Sequence, residues 1–217
     1  LLISEGRGDA GWFNALEASL AETAIAITAA RRALIHDLNI EARHGWHGFP
    51  GVRLELQGEI ENWLDAMPAL AVEDQHMATA ASMRAEGTST LSGPHVSEVN
   101  AYDVASNTPA YLASTGQQNA LLIAVVLAHA RLQERRLGRP PIMLLDDVAA
   151  HLDAKRRSAL FEALFDLGGQ SWFSGSEASL FEGLGKGAQF MKIHDADHDV
   201  KNESGVTSKT PKCEWLI

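Results

Sequence analysis

Cysteine is nearly absent: Cys213 stands alone in 217 residues, so no intrachain disulfide can form, and the chain fits a reducing cytosol. Long apolar runs are missing too. The longest, Ala120 to Ala128, is far short of the roughly 20 residues of a membrane span. The start, Leu1-Leu2-Ile3-Ser4-Glu5, has neither the basic segment nor the apolar core of a signal peptide. Basic residues are outnumbered, 18 Lys and Arg against 28 Asp and Glu, and the net charge of −10 excludes a surface that is basic everywhere. These absences lead to the expectation of a cytoplasmic protein without membrane partners. What is present, 46% hydrophobic residues, suffices for one packed domain with an appendage. The chain opens on Leu1 rather than methionine, which fits a fragment or a truncated gene product.

Asp9 is a candidate N-cap for a helix from about Gly11 toward Glu41. Its residues Phe13, Leu16, Leu20, Ile27, Leu34 and Leu38 recur at spacings of three, four or seven, one apolar stripe of coiled-coil or arm type. His44 to Gly51 breaks it, and Val52, Leu54 and Leu56 then alternate with polar residues as a half-buried strand. Glu59 to Glu86 reads as helical, interrupted at Pro68. From Gly87 the pattern becomes α/β. Strands are expected at Thr88–Leu91, Val99–Val104, Ile142–Leu145, Gln170–Phe173 and Gln189–Ile193, with helices at Thr115–Arg136, Ala154–Leu167 and Ala178–Leu184. Such alternation implies a parallel or mixed sheet with helices on its faces. The Thr115 helix is apolar on most sides and should be largely buried. The tail after Asp195 is polar and should be loose.

Chemistry concentrates at Ile142-Met143-Leu144-Leu145-Asp146-Asp147. Four apolar residues followed by two carboxylates put the acids at the carboxyl end of a strand, where open α/β sheets bind ligands. Asp146 can hold Mg²⁺ against nucleotide phosphates, and Asp147 can orient an attacking water. Upstream, Ser114-Thr115-Gly116-Gln117-Gln118 opens a helix. A Ser and a Gly there leave backbone N–H groups free at the positive helix end, a site for phosphate, although Ser114 also fits a plain N-cap. Two basic clusters, Arg131-Arg135-Arg136-Arg139 and Lys155-Arg156-Arg157, read either as a nucleic-acid stripe or as solvated helix faces. Trp12, Trp46 and Trp63 lack basic interleaving and fit core packing better than base stacking. His44 and His47 lack partners at zinc-like spacing.

In order, Ser114 to Gln118, the apolar helix, the turn Gly138-Arg139-Pro140-Pro141, the strand, and Leu144 to Asp153 resemble the signature motif, Walker B strand and D-loop of ABC ATPases. Leu152-Asp153 follows Asp146 by six residues, as the D-loop does there. One level down, Ser114-Thr115-Gly116-Gln117-Gln118-Asn119-Ala120-Leu121-Leu122, Gly93-Pro94-His95 and the segment Ser174-Gly175-Ser176 resemble the RecF family. So does the arm-like stretch Gly11-Trp12-Phe13-Asn14-Ala15-Leu16-Glu17. The resemblance covers most of residues 1–198.

It implies an α/β fold: the carboxyl-terminal half of an ABC-type ATPase head (87–198), preceded by a partial helical arm (1–86) and followed by a polar tail (199–217). It also implies roles for single residues. Asp146 and Asp147 would be catalytic, with Asp146 on the metal. Ser114, Thr115, Gly116 and Gln117 would meet the partner subunit's nucleotide, and Asp153 would lie at the dimer interface. Ser174 and Ser176 would form the switch segment. His95 is open between a contact to nucleotide or a neighbouring strand and a turn histidine. Implied cofactors are ATP and Mg²⁺. Implied partners are single-stranded and gapped duplex DNA, a second copy in an ATP-dependent homodimer, and other recombination mediators, in DNA repair, replication and the SOS response.

Three departures bear on activity. Asn119 stands where the family has Lys and Val96 where it has Arg; Asp147, with a shorter reach, stands where many ABC proteins have Glu, though RecF proteins often have Asp there; and nothing matches the phosphate loop G-x-x-x-x-G-K-[ST]. Gly183-Leu184-Gly185-Lys186-Gly187 has the wrong spacing and lacks the hydroxyl residue. The chain alone is therefore not expected to hydrolyse ATP. Two other readings remain, a head of the chromosome-maintenance or double-strand-break-repair type and a non-catalytic interaction module.

Overall fold

A helix of 33 residues, α1 (Ala10–Ala42), spans about 50 Å at 1.5 Å per residue and organises everything else. The computed structural model describes residues 10–87, 93–194, 200–201, 207–208 and 212–216. The expected strand at Thr88–Leu91 lies outside them. After α1 come β1 (Val52–Gln57), α2 (Glu59–Ala66), α3 (Ala69–Glu86), β2 (Glu98–Asp103) and α4 (Thr115–Leu137). Then follow β3 (Met143–Leu145), α5 (Ala154–Leu167), β4 (Ser171–Phe173), β5 (Phe190–His194), β6 (Val200–Lys201), β7 (Thr207–Ser208) and β8 (Lys212–Leu216). The segment Ala178–Gly187, expected as a short helix, is a kinked 3₁₀ run.

Of the large apolar stripe on α1, only Leu38 is buried. Glu17, Ala21, Ala24, Thr28, Leu38 and Ala42 are buried, whereas Leu16 and Leu20 are 43% and 45% exposed and Ile27 and Leu34 are also open. The reason is steric: α3 packs along α1, and small residues let two helix axes approach closely. Arg84 of α3 closes this contact, with Nε 3.0 Å from the buried Glu17 carboxylate and its guanidinium over Phe13. A small cluster of Ala24, Ile60 and Val72, flanked by Trp63, fills the space among α1, α2 and α3.

The carboxyl-terminal part of α1 belongs to a different core. Leu38 and Ala42 join Phe49, Val52 and Leu54 with Leu121, Leu127 and Leu132 of α4, Met143 and Leu145 of β3, and Leu160 and Leu164 of α5. Trp46 packs against this cluster. β1 pairs antiparallel with β2, Leu54 opposite Ala101, and its backbone is also gripped from α1. Asn39 accepts the Leu54 N–H at 2.7 Å and donates to the Leu54 carbonyl at 2.9 Å, acting as a one-residue strand partner. One core thus draws on both sides of Gly87.

The sheet differs from expectation. β3 and β4 form a two-stranded parallel ladder, Leu144 opposite Trp172, and β5 does not join it. β5 pairs instead with β8, so the tail expected to be loose supplies strands, with β6 and β7 as a further short pair. The apolar run of β3 is buried on one side only: Met143 and Leu145 face the core, while Leu144 is 78% and Trp172 48% exposed. Leu122 of α4 is exposed as well, so that helix is not buried all round. No helix among the described residues is long and apolar enough to cross a membrane.

Candidate functional site

Asp146 leaves the carboxyl end of β3, and Ser174 leaves the same end of its parallel neighbour β4. The ladder continues one step past the strands, with the Ser174 N–H donating to the Leu145 carbonyl at 3.1 Å. That places the Ser174 hydroxyl between the two acids: it donates to Asp146 Oδ1 and accepts the Asp147 N–H at 3.1 Å. Parallel pairing therefore brings together two segments that the sequence separates by 28 residues. Ser176 lies exposed two residues on.

Asp147 turns the chain. Its φ of 52° is left-handed, which Asp tolerates better than branched residues, and it starts the 3₁₀ turn Val148–His151. Its carboxylate is exposed, with His151 Nε2 3.7 Å from Oδ2, a contact of little energetic weight. The outward carboxylate is available to a water or a substrate. Asp146 offers one carboxylate at a strand end, a donor set that suits Mg²⁺, which keeps waters and takes phosphate oxygens. Among the described residues no three His, Cys, Asp or Glu side chains cluster as a dedicated metal cage.

Ser114 caps α4 through a capping box. Its hydroxyl accepts the Gln117 N–H at 3.4 Å, and Gln117 Oε1 accepts the Ser114 N–H at 3.0 Å. That box uses the Ser114 and Gln117 amides. The Thr115 and Gly116 amides have no acceptor within the helix, and they point with the positive end of a 23-residue helix. Ser114, Thr115 and Gln117 are exposed. Asp153 caps α5 in turn, accepting the Arg156 N–H at 2.8 Å.

Sequence reasoning missed what the arginines do. Arg156 Nη1 donates to the Gly116 carbonyl at 2.8 Å, joining the start of α5 to the start of α4. Arg157 Nη1 reaches the Ala149 and Leu152 carbonyls at 3.4 and 3.3 Å. Arg135 lies 2.6 Å and Arg131 3.5 Å from the buried Glu41 carboxylate, Arg136 pairs with Asp37, and Arg131 also covers the Trp46 ring. Of the two basic clusters, five side chains thus make internal contacts, although Arg135 and Arg136 stay 61% and 51% exposed. Only the i, i+3 spacing of Asp153 and Arg156 gave any signal in the sequence.

His95 stands apart. With Arg31, Leu34, Leu56, Ser97 and Val99 it lines an open cleft of about 390 Å³ whose walls include none of Ser114, Asp146 or Ser174. Arg31 donates to the Pro94 carbonyl there.

No family model matches the chain. It is 40% identical over 197 residues to the DNA replication and repair protein RecF of Agrobacterium fabrum, a match covering 88% of this chain and 52% of that protein. The RecF proteins of Mesorhizobium japonicum and Brucella abortus are 40% and 39% identical over 197 residues, each match covering 88% of this chain. The chain thus spans about half the length of the curated relatives it matches. Its fold is similar to a solved structure of the recombination mediator protein RecF-ATPrS in the RecFOR pathway. The TM-score is 0.61 at 19% identity, over 82% of this chain and 48% of that one. A RecF-ATP structure from the same pathway gives a TM-score of 0.60.

Proposed function

We propose that this chain, which belongs to the RecF family over the half of its relatives' length that it spans, supplies one side of a DNA-repair ATPase head. In that reading the Thr115 and Gly116 amides at the start of α4 close over the nucleotide held by a partner subunit. Asp146 meets Mg²⁺, Asp147 orients the attacking water, and Asp153 lies at the interface between copies. The metal, when bound, would neutralise phosphate charge. Ser174 fixes the Asp146 carboxylate and, through the Asp147 amide, sets the direction in which the second acid leaves the strand. The assembled head would bind ATP and DNA, pair with a second copy, and act with recombination mediators at gapped or single-stranded DNA. The single observation that carries this reading is the Ser174 hydroxyl bridging Asp146 and the Asp147 backbone at the end of a parallel ladder.

The same reading assigns the other half of the site, a phosphate loop, to the part of the RecF relatives that this chain does not span. Leu144 and Trp172 form the uncovered side of β3 and β4, and parallel strands are ordinarily covered on both faces. We assign that cover to the same part of the RecF relatives. The test joins the chain to the phosphate-loop half of a RecF relative. Asp147→Asn should then keep ATP binding and slow hydrolysis by about 10² or more, the scale of losing a positioned general base. Asp146→Ala should instead weaken Mg²⁺-dependent ATP binding, and the 217-residue chain alone should show no turnover. Undiminished hydrolysis in Asp147→Asn removes Asp147 from the chemistry.

A further inference from the structure

We propose that Arg156 is a positioning residue that couples the Asp153 turn to the start of α4, so that the two segments move as one unit. The proposal rests on the reading above, in which both segments face a second copy. Arg156 touches both. Its Nη1 donates to the Gly116 carbonyl at 2.8 Å, a partly buried bond across 40 residues. Its backbone N–H donates to Asp153 Oδ1 at 2.8 Å, and its Nε lies 3.9 Å from Asp153 Oδ2. Arg157 fastens the rest of the turn through the Ala149 and Leu152 carbonyls. A displacement of residues 148–153 therefore carries Arg156 with it and pulls on Gly116.

Two physical points separate this contact from an ordinary strut. The Gly116 carbonyl is already an acceptor within α4, bonded in the i to i+4 pattern, so the guanidinium is not needed to satisfy it. A cation beside a helix N-terminus also opposes the macrodipole. A nearby anion eases that opposition; Asp153 stands 3.9 Å from Arg156 Nε in this chain, and a phosphate would add to it in the assembled head. Gly116 fits the arrangement sterically: a Cβ there would lie 3.3 Å from Arg156 Nη1, closer than most side chains approach. Gly116 thus gives the guanidinium room as well as giving a phosphate access to the backbone.

Amide hydrogen exchange on the 217-residue chain tests the coupling. Arg156→Ala should raise exchange of the hydrogen-bonded amides of residues 117–120 about tenfold, the scale of one hydrogen bond from a charged donor, while residues 158–167 stay at the wild-type rate. Arg156→Lys should recover part of that protection. The decisive variant is Asp153→Asn, which keeps a good helix cap and touches nothing in α4. It should still raise exchange at 117–120, because Arg156 loses the carboxylate beside its guanidinium, but by less than Arg156→Ala does, since an exposed pair at 3.9 Å carries little energy. Wild-type protection at 117–120 in Asp153→Asn would reduce Arg156 to a local strut and overturn the coupling. Should Arg156→Ala unfold the chain, the Lys and Asn variants decide the question alone. In the protein joined to a phosphate-loop half, Arg156→Ala should weaken ATP-driven association about tenfold with unchanged ATP affinity of the monomer. Exchange coupling without any ATP-driven association of the joined wild type would leave the link standing and defeat the functional reading instead.

Discussion

The two ends of α4 are held in opposite ways. Its carboxyl-terminal half is anchored: Leu127, Ala128 and Leu132 are in the main core, and Arg131, Arg135 and Arg136 reach the acids of α1. Its start is presented. Ser114, Thr115 and Gln117 are exposed, and what holds them is a capping box and one guanidinium from α5. One helix therefore serves as both foundation and contact surface. Local stability is free to be low where a partner is to be met and has to be high where the fold is held. The same division runs through β3, whose Met143 and Leu145 face the core while Leu144 faces out.

Breaking the anchored end should have the largest effect. Leu127 is 2% exposed and surrounded by the main core. Leu127→Ala should cost about 2–5 kcal/mol, from lost burial and the cavity left behind. Urea unfolding followed by circular dichroism measures it. A loss below about 1 kcal/mol would mean that α4 is not the foundation of this fold.

How much of this was legible depends on how local each signal is. The limits of α4 and α5 follow from caps that act within one turn. Ser114 and Asp153 open the helices, and Gly138 and Gly168 close them at φ near +70°. The doublet Asp146-Asp147 at a strand end was equally plain, because an apolar run followed by acids needs no partner to be recognised. The arm face was not. On α1 most of the large apolar stripe stays open, Leu38 excepted, and Ala21, Ala24 and Thr28 are buried, since close helix approach favours small side chains over the hydrophobicity that a periodicity count weighs. The exposure of Leu144 was hidden for a related reason: a strand's composition reports both faces of a complete sheet, and among the described residues nothing covers the Leu144 and Trp172 side. Ser174 on Asp146 and Arg156 on Gly116 lie 28 and 40 residues apart, distances over which no spacing rule applies.

At the presented end the effect should be smaller and of a different kind. Ser114→Ala removes one half of the capping box and should cost about 1 kcal/mol. Ser114→Arg tests presentation rather than stability. In the protein joined to a phosphate-loop half, it should block ATP-driven pairing while leaving ATP binding by the monomer intact, measured by light scattering with and without ATP. Undisturbed pairing would make Ser114 a cap and nothing more.

The smallest effect is expected on the uncovered side of β3. Leu144 is 78% exposed and faces Trp172 across the parallel ladder, so replacing it removes little burial. Leu144→Lys should change the unfolding free energy of the chain by less than about 0.5 kcal/mol, the usual range for surface substitutions away from special features. Its effect on association should be larger than its effect on stability. An apolar pair on a strand face invites contact with other copies, and a lysine there discourages it, so self-association in sedimentation should fall while the melting curve stays put. In the protein joined to the phosphate-loop half of a RecF relative the outcome should reverse. There the same lysine would lie under the covering layer without a partner, and burying an unpaired charge costs several kcal/mol. A variant that melts alike in both contexts would show that nothing covers this face, and would remove the assignment of Leu144 and Trp172 to the junction.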